Sequence, residues 1–550
     1  MKAKTLFLSL MFALCAGCFA QAQQGIIPYP VYVDAKSGSY QLPQKLTVVG
    51  MGAMDADMQR VVKQFAQTLS DGMGVQTKTK FSKKVRDAKA NQLVCRVESD
   101  CSAEGYTLDI RPEGILVGAS TAAGFFYALQ TLKQMLPAQA AAGLKAPYFL
   151  AWSLPCQSIE DHPRYSWRGF MLDEGRHIFG KAEVRRILDI MALYKMNRFH
   201  WHLTEDQGWR IEIKKYPKLT EIGAWRTSKS LPWGEYGSDT IHYGGYYTQD
   251  DIREIVAYAK ERFIEVVPEI DIPGHTQAAV ASYPELLACR EGEHKVLVGQ
   301  GVAEDVINVG SPKALQFATD VYDELVELFP FEYIHFGGDE CPTTFWEQNA
   351  ECQAKLKEIG STKFRDLQTQ FYREIQAHIK KQPAEKQRKL VFWNEVLYGN
   401  TDGLEDITVM AWVGANAAAK EAAKRGFGVI LTPQPEYYIN RKQSTDPNEP
   451  HTQGKGNETL KKVYGYKPAG DVSADLLPHY KGVQANFWSE WVDNCPLVEY
   501  LMLPRLAAVA EAGWVLPEQL QDYDKFLNRV RKHTSIYEAG NYQYGKEAFK

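Results

Sequence analysis

Past residue 22 the chain has no run long and apolar enough to cross a bilayer as a helix. Neither sign of charge dominates. The 63 Lys and Arg face 67 Asp and Glu, a net charge of −4, so there is no basic field of the kind that holds nucleic acid. Past residue 22 no CxxC pair occurs, and no Cys/His cluster has the spacing of a structural zinc site. Cysteine is sparse, with nine in 550 residues. Cys15 and Cys18 lie in the first 22 residues, and the remaining odd number leaves at least one thiol free or paired with another molecule. Cys95 with Cys101, and Cys341 with Cys352, are close enough in sequence to bridge, which the sequence leaves open.

What is present begins with a leader. Lys2 and Lys4, an apolar run over 6–16 and the closing Ala20-Gln21-Ala22 have the form of a secretory signal cleaved after Ala22. Cys18, after Ala16-Gly17, resembles a lipoprotein acceptor, but Cys15 stands where a leucine is expected, and simple cleavage is favoured. The expectation is an exported protein, periplasmic or secreted. Apolar residues at 45% and charged residues at 24% fit a globular chain, and its length calls for two domains. Twelve Trp and 29 Tyr are a hint of sugar-binding faces, though large cores use aromatics too.

Residues 25–155 read as a small α/β supporting domain. Strands are expected at 45–49, 92–98, 106–110 and 115–118, helices at 58–70 and 121–135, and a link over 147–155. From about 165, short apolar runs alternate with amphipathic stretches, the pattern of parallel βαβ units. Eight such strands are counted, at 169–172, 198–203, 265–270, 333–336, 390–393, 408–412, 428–431 and 483–487. The fold expected is an α/β chain with a (β/α)8 barrel over 160–515, preceded by the small α/β domain. Residues 516–550 form a helical tail packed on the barrel, with a closing helix at 523–536.

In such a barrel, functional groups gather at the C-terminal ends of the strands. Polar and aromatic residues gather there in this sequence. The strongest case is the turn Gly337-Gly338-Asp339-Glu340 after strand four, where two adjacent carboxyls are pushed to different pKa values. Acids and Trp faces at a mouth suit glycoside hydrolysis. Adjacent carboxyls cannot easily flank one sugar ring, which points to a nucleophile supplied by the substrate, such as the carbonyl oxygen of a 2-acetamido group. The loop over 433–466 is long; Tyr438 and Asn440 at its start are read as functional, and 444–455 as a solvated excursion.

Five segments carry a family resemblance: RGFMLDEGRH (168–177), FHWHLTEDQGWR (199–210), PEIDIPGH (268–275), HFGGDE (335–340) and FWSE (487–490). They resemble the signatures of glycoside hydrolase family 20, the β-N-acetylhexosaminidases. The resemblance implies that Asp339 orients the acetamido group and that Glu340 is the general acid, then the base. Glu205 and His275 would form a relay to Glu340. Arg176 would clamp hydroxyls of the terminal sugar, closing the pocket for exo action. Trp393, Trp412 and Trp488 would wall the acetamido pocket, Tyr438 would donate to the acetamido oxygen, and Asn440 and Glu490 would hold outer hydroxyls. No cofactor and no metal are called for; the partner is a glycan or amino-sugar oligosaccharide. Many members have Asp-Asp where this chain has Glu205-Asp206, so Asp206 stands as an alternative member of the relay. Some carry Asp in place of Asn440, which leaves the gluco or galacto preference open.

Two other readings are weighed. His200-Trp201-His202 points two imidazoles the same way, as in metal-dependent amidohydrolase barrels, where His275, Asp271 or Asp339 would complete the shell; the plain alternative is packing inside the barrel. A secreted amino-sugar-binding protein would use the same Trp walls and Arg clamp without turnover.

Overall fold

Strand Trp167–Asp173 is buried along its whole length, the mark of a parallel strand covered on both faces. It opens a closed barrel of eight parallel strands: Trp167–Asp173, Arg198–His202, Glu265–Glu269, Tyr333–His335, Lys389–Trp393, Thr408–Ala411, Gly428–Leu431 and Tyr480–Phe487, the last pairing back to the first. Each lies on one of the eight expected positions. The computed structural model describes residues 25–86, 89–228, 241–454 and 456–550. The expected leader, with Cys15 and Cys18, lies outside the described residues.

Alternate residues of each strand face the barrel interior. Trp167, Met171, Val267, Tyr333, Val391, Met410 and Ile430 therefore share one core with Trp393, Tyr438 and Trp488. Trp167 meets Tyr333 edge to face, ring centres 5.3 Å apart. The connecting helices follow the sequence periodicity. Helix Gln249–Lys260 starts at a capping box in which Thr248 and Asp251 exchange side-chain bonds with each other's backbone, a device worth about 1 kcal/mol.

The other unit holds a seven-stranded mixed sheet. Its strands, in spatial order, are Tyr32–Gln41, Ser153–Asp161, Tyr106–Arg111, Gly114–Ala119, Gln92–Val97, Lys45–Met51 and Gln76–Ser82. Helices Ala56–Met73 and Ala122–Gln134 match the two expected. Three strands were not expected, and the link read over 147–155 runs into one of them. Ser153–Asp161 pairs antiparallel with both Tyr32–Gln41 and Tyr106–Arg111.

The contacts also divide the chain differently from the sequence reading. Of the described residues, those from 25 to 166 group with Ile190–Lys195 and Leu503–Lys550; those within Trp167–Asp189 and Met196–Met502 form the barrel unit. The C-terminal segment, with helix Tyr523–Ala539, thus counts with the N-terminal layer. The reason is visible at Asp161. Its carboxylate accepts from Lys195 Nζ at 2.7 Å, Tyr106 at 2.6 Å and the Trp514 indole at 2.7 Å, and both Asp161 and Lys195 are buried. Removing one charge of such a pair typically costs about 3–5 kcal/mol, so three distant stretches of this unit are held at one point.

Among the described residues no helix is long and apolar enough to cross a membrane. The seven cysteines there are all free thiols, so neither Cys95–Cys101 nor Cys341–Cys352 is bridged.

Candidate active site

The turn after strand four is set by its two glycines. Gly337 and Gly338 have φ of +59° and +93°. A Cβ on Gly337 would lie 1.8 Å from Asp271 Oδ1, the atom that accepts the Gly338 N–H at 2.9 Å. Gln368 fixes the turn from the other side by donating to the Gly338 carbonyl at 2.7 Å. Asp339 follows, buried, with Oδ1 lacking a hydrogen-bond partner among the described residues. Glu340 is 47% exposed at its side chain and has φ +41°; His275 has φ +51°. Left-handed backbone at non-glycine residues costs on the order of 1–3 kcal/mol each and concentrates at functional sites.

His275 stands between the carboxyls and the interior. Its Nε2 is 3.8 Å from Asp339 Oδ2 and 3.6 Å from Glu340 Oε2, while Nδ1 is 3.0 Å from Glu205 Oε2 and 3.5 Å from Asp206 Oδ2. Burial opposes charge on His275, but Glu205 and Asp339 outweigh it and hold its pKa well above the ordinary value. Glu205 is likewise buried; Arg176 and His275 overcome that penalty and hold its carboxyl below the usual range. The first acid of Glu205-Asp206 is thus the nearer partner, while Asp206 caps backbone N–H groups of Gln277 and Ala303 at 3.0 and 2.9 Å. Burial and the neighbouring Asp339 charge raise the Glu340 pKa, against the pull of His275 and Arg176. Burial and Asp339 also raise Asp271 well above its usual value.

Arg176 reaches Glu205 at 2.8 Å and Asp173 at 3.3 Å through Nη1, and its guanidinium lies 5.1 Å from the Trp488 ring centre. Its Nε has no hydrogen-bond partner among the described residues. Burial disfavours its charge, yet Glu205, Asp173 and Glu490 keep its pKa well above normal.

Beneath this layer, Glu269 lies close to three imidazoles and an indole from neighbouring strands. His200 Nε2 lies 2.9 Å and His335 Nδ1 3.0 Å away, His202 Nδ1 is in closer contact, and the Trp393 indole donates at 2.7 Å. His202 passes the contact on to Glu205 through Nε2 at 3.1 Å. The HxH pair therefore faces the barrel interior and is engaged by Glu269. Four buried groups have ligand atoms close enough together for a cation: His200, Glu269 and His335; His202, Glu205 and Asp271; Glu205, Asp206 and His275; and Asp271, His275 and Asp339. The contacts of the first group are those just described.

Aromatic rings line the other side. Trp393 and Trp488 are tilted at 5.8 Å, and Trp412 stacks on Tyr438 at 6.0 Å. Burial holds the Tyr438 phenol well above its usual pKa, so it remains a donor. The Trp412 indole donates to Glu395 at 2.9 Å. Burial, then the charge of Asp339, pushes the Glu395 pKa up to about 8. Asn440 is buried and donates to Gln453 at 3.3 Å; Gln453 donates to Glu490 at 3.5 Å.

The structure thus brings Arg176, Glu205, His275, Asp339, Glu340, Trp393, Trp412, Tyr438, Asn440, Trp488 and Glu490 to one mouth. Three further residues shape it. Glu269 was readable from the alternation of strand three, and Glu395 from the Trp-Asn-Glu at the end of strand five. Gln453 lies in the stretch read as a solvated excursion; its described residues are mostly exposed or half-buried, with Glu449 and Thr452 the buried exceptions.

A family model for the glycosyl hydrolase family 20 catalytic domain matches residues 165–517, and one for domain 2 of that family matches residues 23–162. The chain belongs to glycosyl hydrolase family 20. The β-hexosaminidase of Porphyromonas gingivalis is 36% identical over 510 residues, which is 92% of this chain and 62% of that protein. The chain thus spans less than two thirds of that relative's length. The β-hexosaminidase of Vibrio furnissii is 35% identical over 78% of this chain and 68% of its own length. Among solved family 20 structures, the exo β-N-acetylglucosaminidase of Vibrio harveyi in complex with N-acetylglucosamine aligns with a TM-score of 0.82 at 30% identity, covering 96% of this chain and 79% of that one.

Proposed function

We propose that this family 20 glycoside hydrolase is an exo-acting β-N-acetylhexosaminidase that releases terminal β-linked N-acetylglucosamine or N-acetylgalactosamine with retention of configuration. The observation that carries the reading is the adjacent pair Asp339-Glu340 on one His275, with the two acids in unlike settings: one buried with a free oxygen, the other half-exposed with a raised pKa. The relatives named β-hexosaminidase and the neighbour holding N-acetylglucosamine support a glycan substrate.

In this reading the acetamido carbonyl oxygen attacks C1 as the bond from C1 to the leaving oxygen breaks. Glu340 gives that oxygen its proton. The positive charge of the resulting oxazolinium is offset by Asp339, which accepts the acetamido N–H. Tyr438 donates to the acetamido oxygen, and the Trp393, Trp412 and Trp488 faces enclose the group. Water then attacks C1, Glu340 takes its proton, and the ring opens to the β-product. Arg176, Asn440 and Glu490 hold the outer hydroxyls. Proton NMR of the first-formed sugar tests this: β-anomer supports it, and α-anomer overturns it.

We also propose export through the leader at residues 1–22, supported by its charge and apolar pattern alone. Sequencing the mature N-terminus decides between cleavage after Ala22 and a lipidated Cys18.

A further inference from the structure

We propose that Gln453 is a positioning residue that decides which atoms of Asn440 and Glu490 face the sugar; this rests on the hexosaminidase reading above. The argument is one of hydrogen-bond polarity. Burial raises the Glu490 pKa against the pull of the Arg176 charge; its carboxylate form can only accept, and the Gln453 amide turns its NH2 to Glu490 Oε1 at 3.5 Å. Its carbonyl is then left facing Asn440, which must donate, and Asn440 Nδ2 does so at 3.3 Å.

Each step leaves one atom over. Asn440 Oδ1 and Glu490 Oε2 are buried and have no hydrogen-bond partner among the described residues. Buried acceptors without partners are costly, and hydroxyl donors on a sugar ring would satisfy both. A side-chain amide has a donor end and an acceptor end of the same shape, so Asn440 alone does not specify which it presents. Gln453 occupies the donor end and makes Asn440 an acceptor, the role an aspartate plays in either orientation.

The loop that carries Gln453 is built to hold it. Glu449 accepts from Ser444 Oγ at 2.7 Å, the Gln443 N–H at 3.3 Å and the Tyr500 hydroxyl at 3.1 Å. The Glu458 N–H closes the loop onto the Lys442 carbonyl at 2.7 Å. Thr452, next to Gln453, is buried.

The test is a double-mutant cycle on the full chain, using Gln453→Ala, Asn440→Asp and the two combined, with KM and kcat measured on nitrophenyl β-N-acetylglucosaminide. Gln453→Ala is expected to raise KM about tenfold, the worth of one well-placed hydrogen bond, with kcat changed less. In the Asn440→Asp background the same change is expected to move KM less than about twofold, because either carboxylate oxygen accepts. An equal KM penalty in both backgrounds would make Gln453 a plain loop support, and no penalty in either would remove it from the site; both overturn the proposal. If the wild type turns over nothing, the hexosaminidase reading has failed. Calorimetric titration with N-acetylglucosamine then runs the same cycle on Kd, and the same outcomes decide it.

Discussion

The Nδ1 atom of His275 lies 3.0 Å from Oε2 of Glu205, with both side chains buried. This contact links the exposed acid at the barrel mouth to the charges below it, and it sets a sign for pH dependence. Burial lowers the His275 pKa, while Glu205 and then Asp339 raise it and win. Glu205→Gln removes the larger support. The alkaline limb of kcat against pH is expected to move down by about one unit or more. A limb that stays in place would show that His275 does not carry the titration.

Asp339→Asn and Glu340→Gln should both cut kcat by orders of magnitude, but with different dependence on the leaving group. A nitrophenolate needs little protonation, so it should partly restore Glu340→Gln and leave Asp339→Asn slow. Rates on nitrophenyl and alkyl glycosides separate the two. Equal sensitivity in both variants would contradict the assigned roles.

The turn itself is testable through its glycines. Gly337→Ala places a Cβ 1.8 Å from Asp271 Oδ1 at a backbone φ of +59°. A loss of roughly 2–4 kcal/mol in unfolding free energy and about 100-fold in kcat is expected. Gly360→Ala is the control: it has φ +68° and nothing within 4 Å of the new Cβ, so only the backbone penalty of about 1 kcal/mol remains and kcat holds.

Glu395 offers a stability test. Its folded pKa is raised from 4.5 to about 8 by burial and then by Asp339. The unfolded chain releases this proton near its ordinary value, while the folded chain keeps it until about 8. Stability therefore falls as pH rises through that window. Glu395→Gln keeps an acceptor for the Trp412 indole and has no proton to lose. Its melting temperature should exceed that of the wild type at about pH 8, the gap closing toward about pH 5. Parallel curves would count against a raised Glu395.

Much of the barrel is legible in the sequence because a parallel strand covered on both faces leaves an apolar run between turns. Even the three residues Tyr333–His335 were found, since Gly337-Gly338 marks where they stop. The three missed strands lack that signal. Tyr32–Gln41 and Gln76–Ser82 lie at the two edges of their sheet and are largely exposed, so few apolar residues are needed. Ser153–Asp161 carries Pro155 and begins inside the 147–155 stretch read as a link. At the site, the strand ends and their period gave the acids, the imidazoles and the Trp faces. That His200, His202, His335 and Trp393 converge on one Glu269 depends on register between neighbouring strands. Gln453 reaches Asn440 through a loop whose closure rests on polar contacts that no periodicity encodes.

The most direct measurement compares nitrophenol release from the β-N-acetylglucosaminide with release from the matching β-glucoside, each with and without chelator. A strong preference for the acetamido sugar, unchanged by chelator, is the predicted result, because the substrate then supplies the nucleophile beside Asp339 and Glu340. Comparable rates on both sugars would contradict the account, as would activity lost to the chelator.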